Sequence, residues 1–259
     1  MAQLIDLNAD MGESFGDWTM GNDEALLNVV TSANIACGFH AGDPDVMAKT
    51  MARAHENGVG IGAHPGFPDL QGFGRRRMSI TPNTLANMVR YQLGAARAMA
   101  AAQGLKVRHF KLHGALSNMA SEDKDIARTC YEAALSVDPD IILVVLAATP
   151  MQEVAQELRA RWAAEVFADR AYNDDATLVD RSIDGAVIHD PELASSRILA
   201  MLEEGAIISE SGKRIPTPID TICTHGDTEN ALEIARQLRK KLKSAGFTLA
   251  PMEGTGKAG

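Results

Sequence analysis

The sequence predicts an α/β fold, a closed, TIM-like, seven-stranded parallel β/α barrel. Short apolar runs alternate with longer helical patterns along the whole chain, which implies parallel strands joined by helical crossovers. Several runs carry polar residues on one face, whereas an open parallel sheet covered by helices on both sides reads as apolar on both. These polar residues also collect at the C-terminal ends of the runs, where barrel active sites are built. A barrel accounts for both facts, because outward residues pack on helices and inward ones enclose a lumen.

The first strand, "LIDLNAD" (4–10), sets Ile5, Leu7 and Ala9 against Asp6, Asn8 and Asp10. In "ANIACGFH" (33–40), Asn34 and His40 share a face with Ala36 and Gly38. In "VGIGAH" (59–64), His64 aligns with Gly60 and Gly62, small residues that leave room inside a lumen. "HFKLHG" (109–114) turns His109, Lys111 and His113 to one side and Phe110 and Leu112 to the other. "IILVVLA" (141–147) is wholly apolar, "EVFADR" (165–170) follows, and "TICTHG" (221–226) aligns His225 with Cys223.

Helices between the strands begin at Asp43-Pro44, Thr81-Pro82, Thr149-Pro150 and Asp190-Pro191, each a capping residue before a proline whose missing N–H costs nothing in a first turn. Thr149 and Gln152 also have capping-box spacing. Gly58, Gly104, Gly205 and Gly246 stand where helices should stop.

With 259 residues and no linker rich in Pro, Gly or Ser, one domain over residues 1–250 is expected, followed by a disordered tail over 251–259. A formal charge of -9 argues against nucleic acid or an anionic membrane as the main partner. The three cysteines are scattered and form no CxxC, and no basic leader or transmembrane-length run occurs, so a reduced cytoplasm is the expected location.

Closure would bring Asp10, His40, His64, His113 and His225 together from the ends of five strands, with Lys111 one inward position deeper. These six are the catalytic candidates, and Asn8 and Asn34 line the same lumen as substrate-binding candidates. Asp plus several His can hold a divalent metal, but HExxH is absent, so a metal stays possible and unassigned. The alternative is metal-free acid–base work, with Asp10 as base and Lys111 or a histidine stabilising negative charge.

The loop "HPGFPDLQGFGRRRM" (64–78) offers Arg75, Arg76 and Arg77 to a phosphate or carboxylate, or is a solvated turn. Arg170, Tyr172 and Arg181 would sit over the barrel mouth as a lid or carboxylate clamp. No GxxxxGK[ST] phosphate loop occurs.

The blocks "DLNADMGE", "SANIACGFHAGDP", "GAHPGFPDLQGFGRR", "HGAL", "EVFADRAY" and "HGDT" resemble, in that order, the signature blocks of the LamB/YcsF family over about residues 4–250. The resemblance implies a seven-stranded barrel of the glycoside hydrolase/deacetylase type, related to polysaccharide deacetylases. It also implies the A component of an ATP-dependent 5-oxoprolinase, which opens the lactam of 5-oxoproline to L-glutamate with ATP as cosubstrate and works with two further subunits, B and C. Leu112 and Ser117 stand where the family usually has Pro and Tyr, and Ala176 and Asp180 where it usually has Gly and Pro. Under this reading Asp10 or a nearby histidine activates water, Lys111 and His113 stabilise the oxyanion, and an arginine holds the substrate carboxylate. The competing expectations are a metal-dependent deacetylase or amidohydrolase that needs no ATP, and a non-catalytic substrate-binding protein.

Overall fold

The computed structural model describes residues 3–224 and 230–255. Six parallel strands come first: β1 (Leu4–Met11), β2 (Ser32–Ala36), β3 (Gly60–His64), β4 (His109–Lys111), β5 (Ile142–Leu146) and β6 (Arg161–Phe167). A short antiparallel hairpin, β7 (Ala206–Ile208) and β8 (Arg214–Pro216), precedes β9 (Thr221–Thr224). β9 pairs with β6 on one side and β1 on the other, which closes a seven-stranded parallel barrel in the order β1-β2-β3-β4-β5-β6-β9. Outside the ring, β10 (Thr248–Leu249) adds to the start of β1.

Eight helices are described: α1 (Asp23–Leu27), α2 (Pro44–Glu56), α3 (Pro82–Ala102), α4 (Gly114–Glu122), α5 (Lys124–Val137), α6 (Pro150–Glu157), α7 (Pro191–Glu204) and α8 (Ala231–Ser244). Asp43 and Asp190 accept two backbone N–H groups each at their helix starts, and Thr81 accepts one. Thr149 departs from the expected capping box. Its hydroxyl donates to the Leu146 carbonyl at 2.7 Å, and Gln152 accepts from the Ala148 N–H at 2.9 Å, so the pair clamps the turn between β5 and α6. Gly58, Gly104, Gly205 and Gly246 all take positive φ.

The alternation read from β1 places its two faces in different layers. Ile5, Leu7, Ala9 and Met11 join the main apolar cluster with the helices, while Asp6, Asn8 and Asp10 are buried in the lumen. α8 shows how the helices cover the barrel: Ile234, Ala235, Leu238 and Leu242 recur at helical spacing and are buried, while its lysines stay outside. Truncating Leu238 to Ala in that seam costs about 2–5 kcal/mol.

Strand boundaries differ from the sequence expectation by more than one residue in β2, β4 and β6. β2 stops at Ala36 because Gly38 (φ +86) turns the chain and donates to the Ala41 carbonyl at 2.9 Å, so His40 sits on a loop. β4 stops at Lys111 because His113 becomes the N-cap residue of α4. β6 starts at Arg161, earlier than expected, because pairing with β5 (Ile142↔Arg161) overrides the helical bias of "LRARWAA". Residues 251–255, expected to be disordered, are packed on the barrel: Met252 is buried, and Thr255 exchanges two backbone hydrogen bonds with Trp162. No described helix is long and apolar enough to cross a membrane.

Candidate active site

The lumen is polar from its floor upward. Asp6 accepts from the hydroxyls of Thr31 and Ser32 at 2.7 Å each and from that of Thr221. Burial pushes its carboxyl up to about 6 against those hydrogen bonds. Asn8 then donates to Thr221 at 2.7 Å and to Glu165 at 3.1 Å, and Asn34 donates to Asn8 at 2.7 Å and to Asp10 at 2.8 Å. His109 completes the layer by donating Nε2–H to Asn34 Oδ1 at 2.8 Å, and burial lowers its pKa to about 3. Gly62 is required here, since a Cβ at that position would lie 2.0 Å from His109 Nε2.

Above this layer the Lys111 ammonium lies 2.9 Å from Asp10 Oδ1, 3.0 Å from Glu165 Oε1 and 3.0 Å from Cys223 Sγ. Burial disfavours its charge, but the Asp10 and Glu165 carboxylates, helped by the hydrogen bond to Cys223, outweigh burial and hold its pKa well above the ordinary value. Burial raises Glu165 and keeps the Cys223 thiol neutral. The Lys111 protons thus meet two carboxylates and a weak sulfur acceptor, with Asn8 Oδ1 more distant at 3.5 Å.

The histidines form the upper wall. His64 Nδ1 lies 2.9 Å from the Lys111 carbonyl, and its Nε2 lies 3.4 Å from Asp10 Oδ2 and 3.0 Å from His113 Nδ1. His113 Nε2 lies 2.7 Å from the Phe73 carbonyl. His40 stacks on His113 with ring centroids 3.6 Å apart and stands 4.0 Å from Glu13. Burial lowers both His40 and His113 well below the usual histidine pKa. Phe73 holds a left-handed backbone (φ +54), an uncommon conformation for an aromatic residue, which places its carbonyl on His113 and its ring against His113 and His40.

These groups open into a cavity of about 500 Å³ at the C-terminal end of the barrel, lined by Asp10, His64, Lys111, His113 and the cations Arg75, Arg77, Arg170 and Arg181. Arg170 is buried and donates to the carbonyls of Ala186 and Val179, which fixes its guanidinium at the wall. Burial and the neighbouring Arg181 lower its pKa to about 10, so it stays charged at neutral pH. A groove of about 640 Å³ beside α7 and α8 is larger, but its charged residues pair with each other at the surface, as Lys241 does with Glu192.

Of the predicted residues, Asp10, His40, His64, Lys111, His113, Asn8 and Asn34 come together in or directly beneath this site. Arg75 and Arg170 join them at the wall. His225 lies outside the described residues. Arg76 does not reach the cavity: its guanidinium is engaged by Asp69 within its own loop. Tyr172 is also elsewhere, fully buried, with its hydroxyl accepting the Phe167 N–H at 2.7 Å. Sequence reasoning missed Glu13, Glu165 and Cys223 as members of the site. Glu165 had a readable signal, as the lone carboxylate within the apolar run from Trp162 to Phe167.

The LamB/YcsF family profile matches residues 5–257. The A component of the 5-oxoprolinase of Ruegeria pomeroyi is 64% identical over 249 residues, which cover 96% of this chain and 98% of that protein. The lactam utilization protein of Thermus thermophilus superposes with a TM-score of 0.90 at 42% identity, covering 96% of this chain and 100% of the other. The catalytic domain of a peptidoglycan N-acetylglucosamine deacetylase from Eubacterium rectale shares the fold alone, with a TM-score of 0.52 at 12% identity over 97% of this chain and 89% of the other.

Proposed function

We propose that this chain, which belongs to the LamB/YcsF family, is the component of a multisubunit 5-oxoprolinase that opens the lactam of 5-oxoproline to L-glutamate, with ATP as cosubstrate. Support comes from the relatives' names and, in the structure, from the buried Lys111 ammonium between Asp10 and Glu165 at the base of an arginine-lined cavity. That observation carries the reading.

The substrate is a small carboxylate with a stabilised amide. Its ring holds amine and acyl groups at high effective concentration, so hydrolysis is opposed by easy reclosure. ATP offsets this: phosphorylation of the lactam oxygen makes the carbonyl carbon attackable. The sequence has no phosphate loop, which fits a nucleotide site shared with, or held by, the two partner subunits, B and C.

Arg170, with Arg75 and Arg181 on the same wall, receives the substrate carboxylate. Asp10, on the cavity wall, takes a proton from water as oxygen adds to the carbonyl carbon. The Lys111 proton directed at Cys223 has a weak sulfur acceptor, so it is the one to turn toward the negative charge that develops on the tetrahedral adduct. His113 has its Nε2–H on the Phe73 carbonyl and its other nitrogen facing His64, so it has no proton free to donate to the adduct. The C–N bond then breaks, the amine leaves with a proton, and a second water releases phosphate from the acyl phosphate so formed, which gives glutamate.

Glutamate release from 5-oxoproline, measured with and without ATP for the chain alone and with its partner subunits, tests the reading. Turnover that needs both ATP and partners is expected. Equal turnover of simple amides or acetylated sugars without ATP would overturn it.

A further inference from the structure

We infer that Glu13, His40, His64 and His113 form a binding site for one divalent transition-metal ion, independent of the identity of the substrate.

The tautomers are fixed by the backbone. A carbonyl oxygen only accepts hydrogen bonds, so His64 must carry hydrogen on Nδ1 to reach the Lys111 carbonyl at 2.9 Å. For the same reason His113 must carry hydrogen on Nε2 to reach the Phe73 carbonyl at 2.7 Å. In the neutral rings this leaves lone pairs on His64 Nε2 and His113 Nδ1, and those two atoms face each other at 3.0 Å. Two lone pairs at that separation repel unless a cation sits against both.

A single shared proton would be enough for that pair, with Asp10 at 3.4 Å balancing the charge. It would not be enough for His40. That ring is 1% exposed, neither of its nitrogens has a hydrogen-bond partner, and its face is stacked on His113. A buried imidazole with both nitrogens unpartnered is costly. A proton shared by His64 and His113 would add positive charge beneath it without giving it a bond. The remaining member, Glu13, places a carboxylate oxygen 4.0 Å from His40 Nε2, too far for a hydrogen bond. Donor atoms about 2.0–2.2 Å from one ion stand roughly 3–4.4 Å from each other. One donor atom from each of the four residues lies within 4.8 Å of all the others, in a buried set that opens on the cavity.

Three imidazole nitrogens and one carboxylate suit ions of borderline softness, such as Zn²⁺, Co²⁺ or Fe²⁺, over Mg²⁺ or Ca²⁺. The Lys111 and Phe73 carbonyls already supply the outer hydrogen bonds that orient metal-binding histidines. Packing also fixes the rings: a Cβ at Gly66 would fall 2.7 Å from His40 Nδ1, and one at Gly74 would fall 2.8 Å from His113 Cδ2.

The test strips the full-length protein with a chelator, then titrates Zn²⁺ or Co²⁺ and reads bound metal per chain together with the visible absorption of Co²⁺. One equivalent is expected to bind with a low-symmetry Co²⁺ spectrum. His40→Gln should weaken binding by on the order of 100-fold or more. His55→Gln, at an exposed histidine of α2, should leave it unchanged. Should His40→Gln fail to fold, ring ¹⁵N shifts of His64 and His113 in the unaltered protein decide, since Zn²⁺ must move both. Binding that is absent, that survives His40→Gln, or that is lost equally in His55→Gln would overturn the site. So would ring nitrogens that ignore Zn²⁺ and report a shared proton. None of these readouts depends on lactam turnover, so the metal site and the proposed reaction fail separately.

Discussion

The Lys111 ammonium and the Glu165 carboxylate meet at 3.0 Å inside the barrel, from β4 and β6, which are separated by β5. The contact reaches across the intervening strand, and it ties the buried lysine of the site to a carboxylate far from it in sequence.

Lys111→Met is expected to lower turnover by about 10²–10³-fold, the usual cost of removing one preorganised charge from a transition state. Steady-state glutamate release in the assembled enzyme checks this, with circular dichroism to show that the variant is folded. Full turnover would remove Lys111 from the chemistry.

The arginines divide into one that binds and one that does not. Arg170→Gln should raise KM for 5-oxoproline by about 10–100-fold, since a hydrogen bond to a charged group is worth about 1.5–3 kcal/mol. Arg76→Ala should leave KM within about twofold and change stability little, because the guanidinium that pairs with Asp69 is largely solvent-exposed. Equal effects on KM would contradict the assignment.

Tyr172→Phe removes the acceptor for the buried Phe167 N–H. A loss of about 1–3 kcal/mol of stability is expected from that orphaned donor, seen as a lower urea midpoint, with KM unchanged. A KM effect without destabilisation would restore Tyr172 to the binding site.

Asp6 gives a pH-dependent prediction with a definite sign. Its folded pKa of about 6 lies above its ordinary 3.8, so the fold prefers the protonated carboxyl. The stability this supplies is complete below pH 3.8 and is lost as pH rises through 6. Asp6→Asn mimics the protonated form, so its stability relative to the parent should grow between those values by roughly 3 kcal/mol and then stay level. Urea denaturation at several pH values measures the difference, and a constant offset across the range would refute the shift.

The barrel was legible because its inward face is polar: in β1, simple alternation picks out Asp6, Asn8 and Asp10, all of which line the lumen. The same reasoning reached His40 and His113 by the wrong route, since loops and not strands deliver them, and only Gly38 and the start of α4 explain how. Arg76 and Tyr172 look like binding residues by type, yet their partners, Asp69 and the Phe167 N–H, lie within their own local segments and satisfy them there. Glu165 and Glu13 escaped notice because what marks them is company: one matters through Lys111 and the other through His40, contacts set by closure across distant parts of the chain.

That closure also sets an order of events during synthesis. β1 is paired on both flanks, and Asn8 meets Thr221 across 213 residues of sequence. Until β9 emerges, the growing chain holds an unclosed sheet whose free edges can pair with another chain and whose lumen charges stand in water. Contacts of such long separation make folding slow. The step that seals the edge is also the one that brings Cys223 up to Lys111.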